Sequence, residues 1–391
     1  MIERRLGFSG FVTLFLCVCP VRAHVYDYTA LPQGHETFTT AHFRIYVPDQ
    51  VPMIRGIHVY LNPHLQDSRP IVGDPLFCML CESVDFALMG AQLESMYMES
   101  GIGNAVLRTL AAFADSSGHP ELAHSTLFFD GWSWGGQFSY HFTLWLPERV
   151  LGFVTHKGGY HSTEPAGDAI QVPGYLLVGE HDLPRRIENL TSVFEDHRPL
   201  GARWVLAMQP GASHERVTDR TLLDDFFRTV VEHRLPDEIP LDEPPGLRTI
   251  PESIGWLGNR HSHLVGSFTC YDAPIDSACW FASHAGAAAW QAFVSDGAAV
   301  DTIPCDPASL DPDPAPHPLR LSFPNPFTSA ASLRLNLQQP GPVRLSVHDI
   351  TGRSVCVLLD AYRQPGTLEI PWYGHDGSGQ RLPGGVYLVR C

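Results

Sequence analysis

The segment Leu127-Phe128-Phe129-Asp130-Gly131-Trp132-Ser133-Trp134-Gly135-Gly136 holds a serine with a glycine two positions away on either side, the G-x-S-x-G spacing. An apolar run precedes it. Phe138, Phe142, Trp145 and Leu146 follow at i, i+4, i+7 and i+8, one face of a helix. A serine in a sharp strand-to-helix turn projects its hydroxyl from the carboxyl edge of a sheet. Such a turn tolerates only small neighbours, which accounts for Gly131 and Gly135. The start of the helix then supplies unpaired N–H groups and a positive dipole end for an oxyanion. Ser133 is the candidate nucleophile for covalent acyl transfer.

A serine nucleophile needs a base, and the base needs an orienting carboxylate. In strand–elbow–helix proteins these follow in the order serine, acid, histidine. Downstream of Ser133 the apolar run Tyr175-Leu176-Leu177-Val178 leads into Gly179-Glu180-His181-Asp182. An acid just past a strand end reaches the same sheet edge as Ser133, so Asp182 is the preferred acid and Glu180 the second choice. The next strand-like run, Trp204 to Met208, opens into Gln209-Pro210-Gly211-Ala212-Ser213-His214. His214 is the preferred base. The chain has 20 histidines, and His161, His181 and His197 are read as surface or supporting residues. For the oxyanion, the N–H of Trp134 is one expected donor. The other should come from the loop Leu61-Asn62-Pro63-His64-Leu65; proline has no N–H, which leaves His64.

These residues require a scaffold. From about Phe43 to Leu235 strand-like and helix-like segments alternate. Strands are expected at Ile54 to Leu61, Phe86 to Leu93, Ser125 to Phe129 (ending at Asp130-Gly131), Val150 to Thr155, Tyr175 to Val178 and Arg203 to Met208. Helices are expected through Val106 to Ala114, Phe138 to Leu146 and Leu222 to Val231. The alternation implies an α/β domain, a mostly parallel sheet covered by helices on both faces. Residues 236–251, rich in proline and acid, read as an extended loop. Residues 253–297, with Trp256, Trp280 and Trp290 and a helical stretch near Ala285 to Phe293, read as an appendage packed on that domain. Residues 303–319 are dominated by Pro and Asp and read as a stiff linker. From 320 to 391 the pattern changes to alternation: Leu333, Leu335 and Leu337, then Val343, Leu345 and Val347, with turn signals between. A small antiparallel β-sandwich is expected there. The domains are thus 1–23, 24–302, 303–319 and 320–391.

The chain has 391 residues, 44% hydrophobic and 17% charged, which fits two globular units. Its net charge of −16 disfavours nucleic acid and anionic membrane surfaces as partners. Residues 1–23 read as a signal peptide: Arg4 and Arg5, an uncharged apolar run from Leu6 to Cys19, then Val21-Arg22-Ala23. The run is short for a membrane span, so a secreted or cell-surface location and no span in the mature chain are expected. Lipid attachment at Cys17 or Cys19 is the competing reading, opposed by Leu16 and Val18. Seven cysteines remain after cleavage, with Cys270 and Cys279 the preferred disulfide pair. Cys78 and Cys81 have redox-motif spacing but read as buried thiols or a local bridge.

GWSWGG, LLVGEHD and PGASH together resemble the α/β-hydrolase superfamily over about residues 40–235, nearest to secreted esterases and polyester-depolymerase-like enzymes. The resemblance implies hydrolysis of a small or polymeric ester through an acyl-enzyme. Asn62-Pro63-His64 departs from the usual His-Gly-Gly loop. At the C-terminus, Phe323-Pro324-Asn325-Pro326-Phe327, Val347-His348-Asp349-Ile350-Thr351-Gly352-Arg353, Trp372-Tyr373-Gly374-His375-Asp376-Gly377 and Gly384-Gly385-Val386-Tyr387 resemble the β-sandwich sorting domains of bacterial exported proteins. These are related to flagellar hook-capping immunoglobulin-like modules and type IX secretion signals. That resemblance implies recognition by secretion or surface-attachment machinery. No cofactor or metal is expected; His261-Ser262-His263 has ligand-like spacing but no accompanying carboxylate and histidine set. A catalytically inactive hydrolase-like binding or adhesion protein is the alternative from another class.

Overall fold

The computed structural model describes residues 24–49, 51–298, 302–303, 319–322, 331–337, 341–349, 353–364, 366–377, 379–385 and 387–390. Residues 1–23, read above as a signal peptide, nearly all of the Pro/Asp-rich stretch, Phe323 to Phe327, Cys305 and Cys391 lie outside them. The described residues up to 303 belong to one compact unit and those from 319 onward to another.

The first unit is built on eight strands: β1 (His24–Ala30), β2 (Ala41–Val47), β3 (Gly56–Leu61), β4 (Phe86–Leu93), β5 (Leu127–Trp132), β6 (Val150–His156), β7 (Gly174–Gly179) and β8 (Trp204–Gln209). They are ordered β1-β2-β4-β3-β5-β6-β7-β8. β1 with β2, and β2 with β4, pair antiparallel; every later pair is parallel. Parallel neighbours need crossovers, and five helices belong to this part: α1 (Pro75–Glu82), α2 (Ile102–Ser117), α3 (Trp134–Trp145), α4 (Pro184–His197) and α5 (Thr221–Arg234). Both faces are covered. On β5, Phe129 meets Phe138 and Phe142 of α3, while its neighbour Phe128 meets Phe226 and Phe227 of α5. Adjacent strand residues point to opposite faces, so both must be apolar. This is a mostly parallel α/β sheet covered by helices on both faces, as the alternating pattern implies.

Two details differ from the expectation. The sheet begins at His24, well before Phe43, because the antiparallel edge strand β1 is half-exposed and carries little apolar signal. Asp130 and Gly131 do not end a strand; they lie inside β5, and Asp130 is fully buried. Of the two readings for Cys78 and Cys81, the thiol one holds: both sit on α1, capped by the Asp74 carboxylate, as free thiols whose pKa values burial raises, Cys81 fully buried and Cys78 partly so.

The appendage contains β9 (Trp256–Gly258), β10 (Val265–Ser267), β11 (Cys279–Phe281) and α6 (His284–Val294), with Ser283 capping α6. It packs on the last strand: the Trp290 indole N–H donates to the Leu206 carbonyl at 3.0 Å, and buried Arg198 donates to the Ala278 carbonyl at 2.7 Å. The expected Cys270–Cys279 bridge is not made. Cys279 is a free, fully buried thiol on β11, hydrogen-bonded to the backbone of Leu206, and Cys270 is disulfide-bonded elsewhere. The short spacing suggested a local loop, but β11 turns the Cys279 side chain into the core.

The second unit has two three-stranded antiparallel sheets. One contains β12 (Leu319–Ser322), β13 (Ala331–Leu337) and β16 (Gly366–Trp372). The other contains β14 (Gly341–His348), β15 (Ser354–Arg363) and β17 (Leu388–Arg390). Alternation puts Leu333, Leu335 and Leu337 of β13 and Val343, Leu345 and Val347 of β14 inward, where they are buried against each other.

Candidate active site

β5 ends at Trp132 and α3 begins at Trp134, so Ser133 makes the whole turn between them. It does so at φ 55°, ψ −115°, a sparsely populated conformation for a residue with a Cβ. Its N–H donates to the His156 carbonyl at the end of β6, at 2.8 Å. The flanking glycines are required by contact. A Cβ on Gly131 would lie 2.1 Å from the Gly135 carbonyl oxygen, and one on Gly135 would lie 2.6 Å from that of Leu61. The second contact seats the start of α3 against the end of β3.

The parallel strands deliver the other groups to the same edge. Asp182 follows β7 and His214 follows β8. His214 Nδ1 lies 2.9 Å from Asp182 Oδ2, and His214 Nε2 lies 3.0 Å from Ser133 Oγ. A carboxylate only accepts, so Nδ1 carries the proton and Nε2 is left to accept from the serine hydroxyl. The second Asp182 oxygen accepts from the Leu183 N–H at 2.7 Å and from Arg186 at 2.8 Å. Burial alone would raise the Asp182 carboxyl. The bonds from His214, Arg186 and Leu183 outweigh it and hold the group below the ordinary aspartate range. Arg186 was not singled out from sequence; its position four residues after Asp182, on α4, was the available signal.

Glu180 is exposed and has a different partner. Its carboxylate accepts from the Gly211 N–H at 2.7 Å, latching the loop that carries His214. Of the other histidines, His181 is exposed, whereas His161 and His197 are buried rather than superficial. His161 is held by Thr155 and Asn189, and burial pushes its pKa down to about 3. Among the described residues no group of three His, Cys, Asp or Glu side chains is arranged to hold a metal ion; His263 of the His261-Ser262-His263 segment packs its ring near Trp290.

On the opposite flank of Ser133, Trp134 is the first residue of α3, so its N–H has no acceptor a turn earlier in the helix. The His64 ring rests on the Trp134 indole, with centroids 3.5 Å apart. The loop after β3 therefore meets the helix start. A small pocket opens there, lined by Pro63, His64, Leu93, Met96, Trp134 and Phe138.

No protein-family model matches the chain, and no curated protein matches it. Solved structures do. A poly(3-hydroxybutyrate) depolymerase, LpqC, from Bordetella parapertussis is 14% identical with a TM-score of 0.41, the match covering 56% of this chain and 93% of that one. A dienelactone hydrolase from Anabaena variabilis is 18% identical with a TM-score of 0.37, covering 55% of this chain and 99% of the other. A thermostable esterase is 14% identical with a TM-score of 0.38; the match covers 47% of this chain and spans only 54% of that esterase's length.

Proposed function

We propose that this chain is an exported serine hydrolase that cleaves a carboxylic ester through an acyl-enzyme, with Ser133 as nucleophile, His214 as base and Asp182 as its orienting acid. The observation that carries this reading is the unbroken hydrogen-bonded series Ser133–His214–Asp182, at 3.0 and 2.9 Å, on a strained strand-to-helix turn.

In this reading His214 Nε2 takes the Ser133 hydroxyl proton as Oγ attacks the ester carbonyl. The imidazolium that forms keeps its Nδ1–H on Asp182, which stays ionised because Arg186 and the Leu183 N–H share its other oxygen. The oxyanion is received by the N–H groups of Trp134 and His64. His214 then protonates the leaving alcohol, and water, activated by the same base, releases the acid and restores Ser133. The pocket beside His64 and Trp134 accepts one substituent of the ester. No cofactor or metal enters the scheme.

Export rests on the signal-like residues 1–23, and a sorting or surface-attachment role for 320–391 rests on the sequence motifs of that region. Among the described residues no helix is long and apolar enough to cross a membrane.

The test is labelling by a fluorophosphonate probe, with turnover of p-nitrophenyl esters of increasing chain length beside feruloyl and acetylated-sugar esters. Labelling at Ser133 and turnover of at least one ester are expected. An unlabelled, correctly folded protein inert to the whole panel would instead be a hydrolase-like binding protein.

A further inference from the structure

The alternation along β5 places Asp130 and Trp132 on the face opposite α3, beside Phe128. A carboxylate as buried as Asp130 is strongly disfavoured unless it is paired. Its two oxygens meet Arg216 and Arg220, each at 2.9 Å. The guanidinium groups are fixed in turn, Arg216 over the Tyr60 ring and Arg220 over that of Phe77. Two residues further along β5, the Trp132 indole N–H donates to the carbonyl of His214 at 2.9 Å. Just past β6, the ammonium of Lys157, whose side chain is wholly buried, donates to the carbonyl of Glu215 at 2.6 Å. At the end of β6 itself, His156 Nε2 accepts from the Val217 N–H at 3.2 Å. Burial holds His156 well below the ordinary histidine range, so the ring is neutral and has a lone pair to offer.

Four consecutive residues, 214 to 217, are therefore each tied to β5 or to the end of β6. The residues just before them are tied to the other side: Gly211 to Glu180, and Ser213 Oγ to the His181 carbonyl at 3.2 Å. The loop is divided, its first half registered to the segment after β7 that bears Asp182 and its second half to β5 and the end of β6.

We infer that Trp132, Asp130 and Lys157 are positioning residues that clamp the segment after His214 onto the nucleophile's own strand and its neighbour, and so set the Ser133–His214 approach. The clamp rests on the reading of Ser133 and His214 as nucleophile and base. Its physical demand is plain: proton transfer needs heavy atoms within hydrogen-bond reach, and a displacement of about 1 Å can cost on the order of a hundredfold in rate.

Trp132→Phe is the most conservative probe, because it removes the indole N–H donor while keeping an aromatic ring, though a smaller one. Together with Lys157→Met it should lower kcat about tenfold or more while KM changes less than about twofold, with melting temperatures close to the parent. Asp130→Asn and Arg216→Gln should lower kcat as well, and the double variant should lose less than the product of the single losses. If Asp130→Asn fails to fold, the Trp132 and Lys157 variants carry the test. Parental kcat in folded Trp132→Phe and Lys157→Met overturns the clamp and leaves the ester-hydrolase reading standing. A parent that turns over no ester and is not labelled at Ser133 overturns both.

Discussion

The two flanks of Ser133 are held by different means. On the His214 flank, Asp182 uses both carboxylate oxygens, and residues 214 to 217 each have a polar partner on β5 or at the end of β6. On the His64 flank, the loop after β3 contains Pro63 and turns through Leu65 at φ 60°. It meets α3 by the His64–Trp134 ring contact and by the close passage of Gly135 over Leu61. The difference matches the work each side is assigned. A proton moves only along a well-aligned donor–acceptor line, so side chains there need directional bonds. An oxyanion can be received by backbone N–H groups, which a helix start and a glycine contact already orient.

Substitutions can break this comparison at several strengths. The largest effect belongs to the atom both flanks serve. Ser133→Ala should lose turnover on the order of a millionfold while the fold, followed by circular dichroism, is unchanged. Retained turnover in a folded variant would remove Ser133 from the chemistry. On the His214 flank, Asp182→Asn should cost on the order of ten-thousandfold near neutral pH. Glu180→Gln, at a side chain that accepts from the Gly211 N–H and does not reach His214, should cost far less. Measured side by side, the reverse ranking would move the acid role to Glu180, and two mild effects would dismiss the relay altogether.

On the other flank the side chain should matter less than the backbone. His64→Pro, which deletes the N–H, should lower kcat by roughly a hundred- to a thousandfold. His64→Ala, which keeps it, should be much milder. Equal losses in the two variants would show that the imidazole rather than the amide does the work.

Acid stability offers a smaller effect. The folded-state pKa of Asp182 lies below the unfolded value of about 3.9. Its contribution is therefore complete above that value and lost as pH falls through the folded one. The melting-temperature gap between the parent and Asp182→Asn should narrow between about pH 5 and about pH 2. Parallel curves would mean that the carboxylate gains nothing from its partners. The smallest effect should come from the tail. Residues 24–302 alone should fold and turn over esters within about twofold of the whole chain, since both flanks draw their partners from the first unit. An insoluble or inactive truncation would show that the hydrolase unit depends on the linker and the β-sandwich.

Much of this was determined by sequence alone. Apolar runs at strand length and helical spacing located six of the eight strands and three of the five helices packed with them, because parallel strands are buried on both faces and their signal is strong. The order Ser133, Asp182, His214 was readable because each stands just past the end of such a run, and parallel strands put those ends on one edge. The half-exposed edge strand β1 and the first residues of β2 were not readable, since solvent on one side weakens the pattern. Nor was Asp130 as a buried ion-pair partner, because a lone acid before a glycine reads equally well as a turn. Alternation also could not choose between Glu180 and Asp182, which lie two apart on an extended chain and so point the same way. Only the folded chain decides that Glu180 reaches the Gly211 N–H while Asp182, past the curl of the loop, reaches His214. Contacts between segments some 30 to 90 residues apart, such as Asp182 with His214, Trp132 with His214 and Asp130 with Arg216, leave no periodic trace in sequence. They arise because a sheet sets side by side strands that the chain visits far apart.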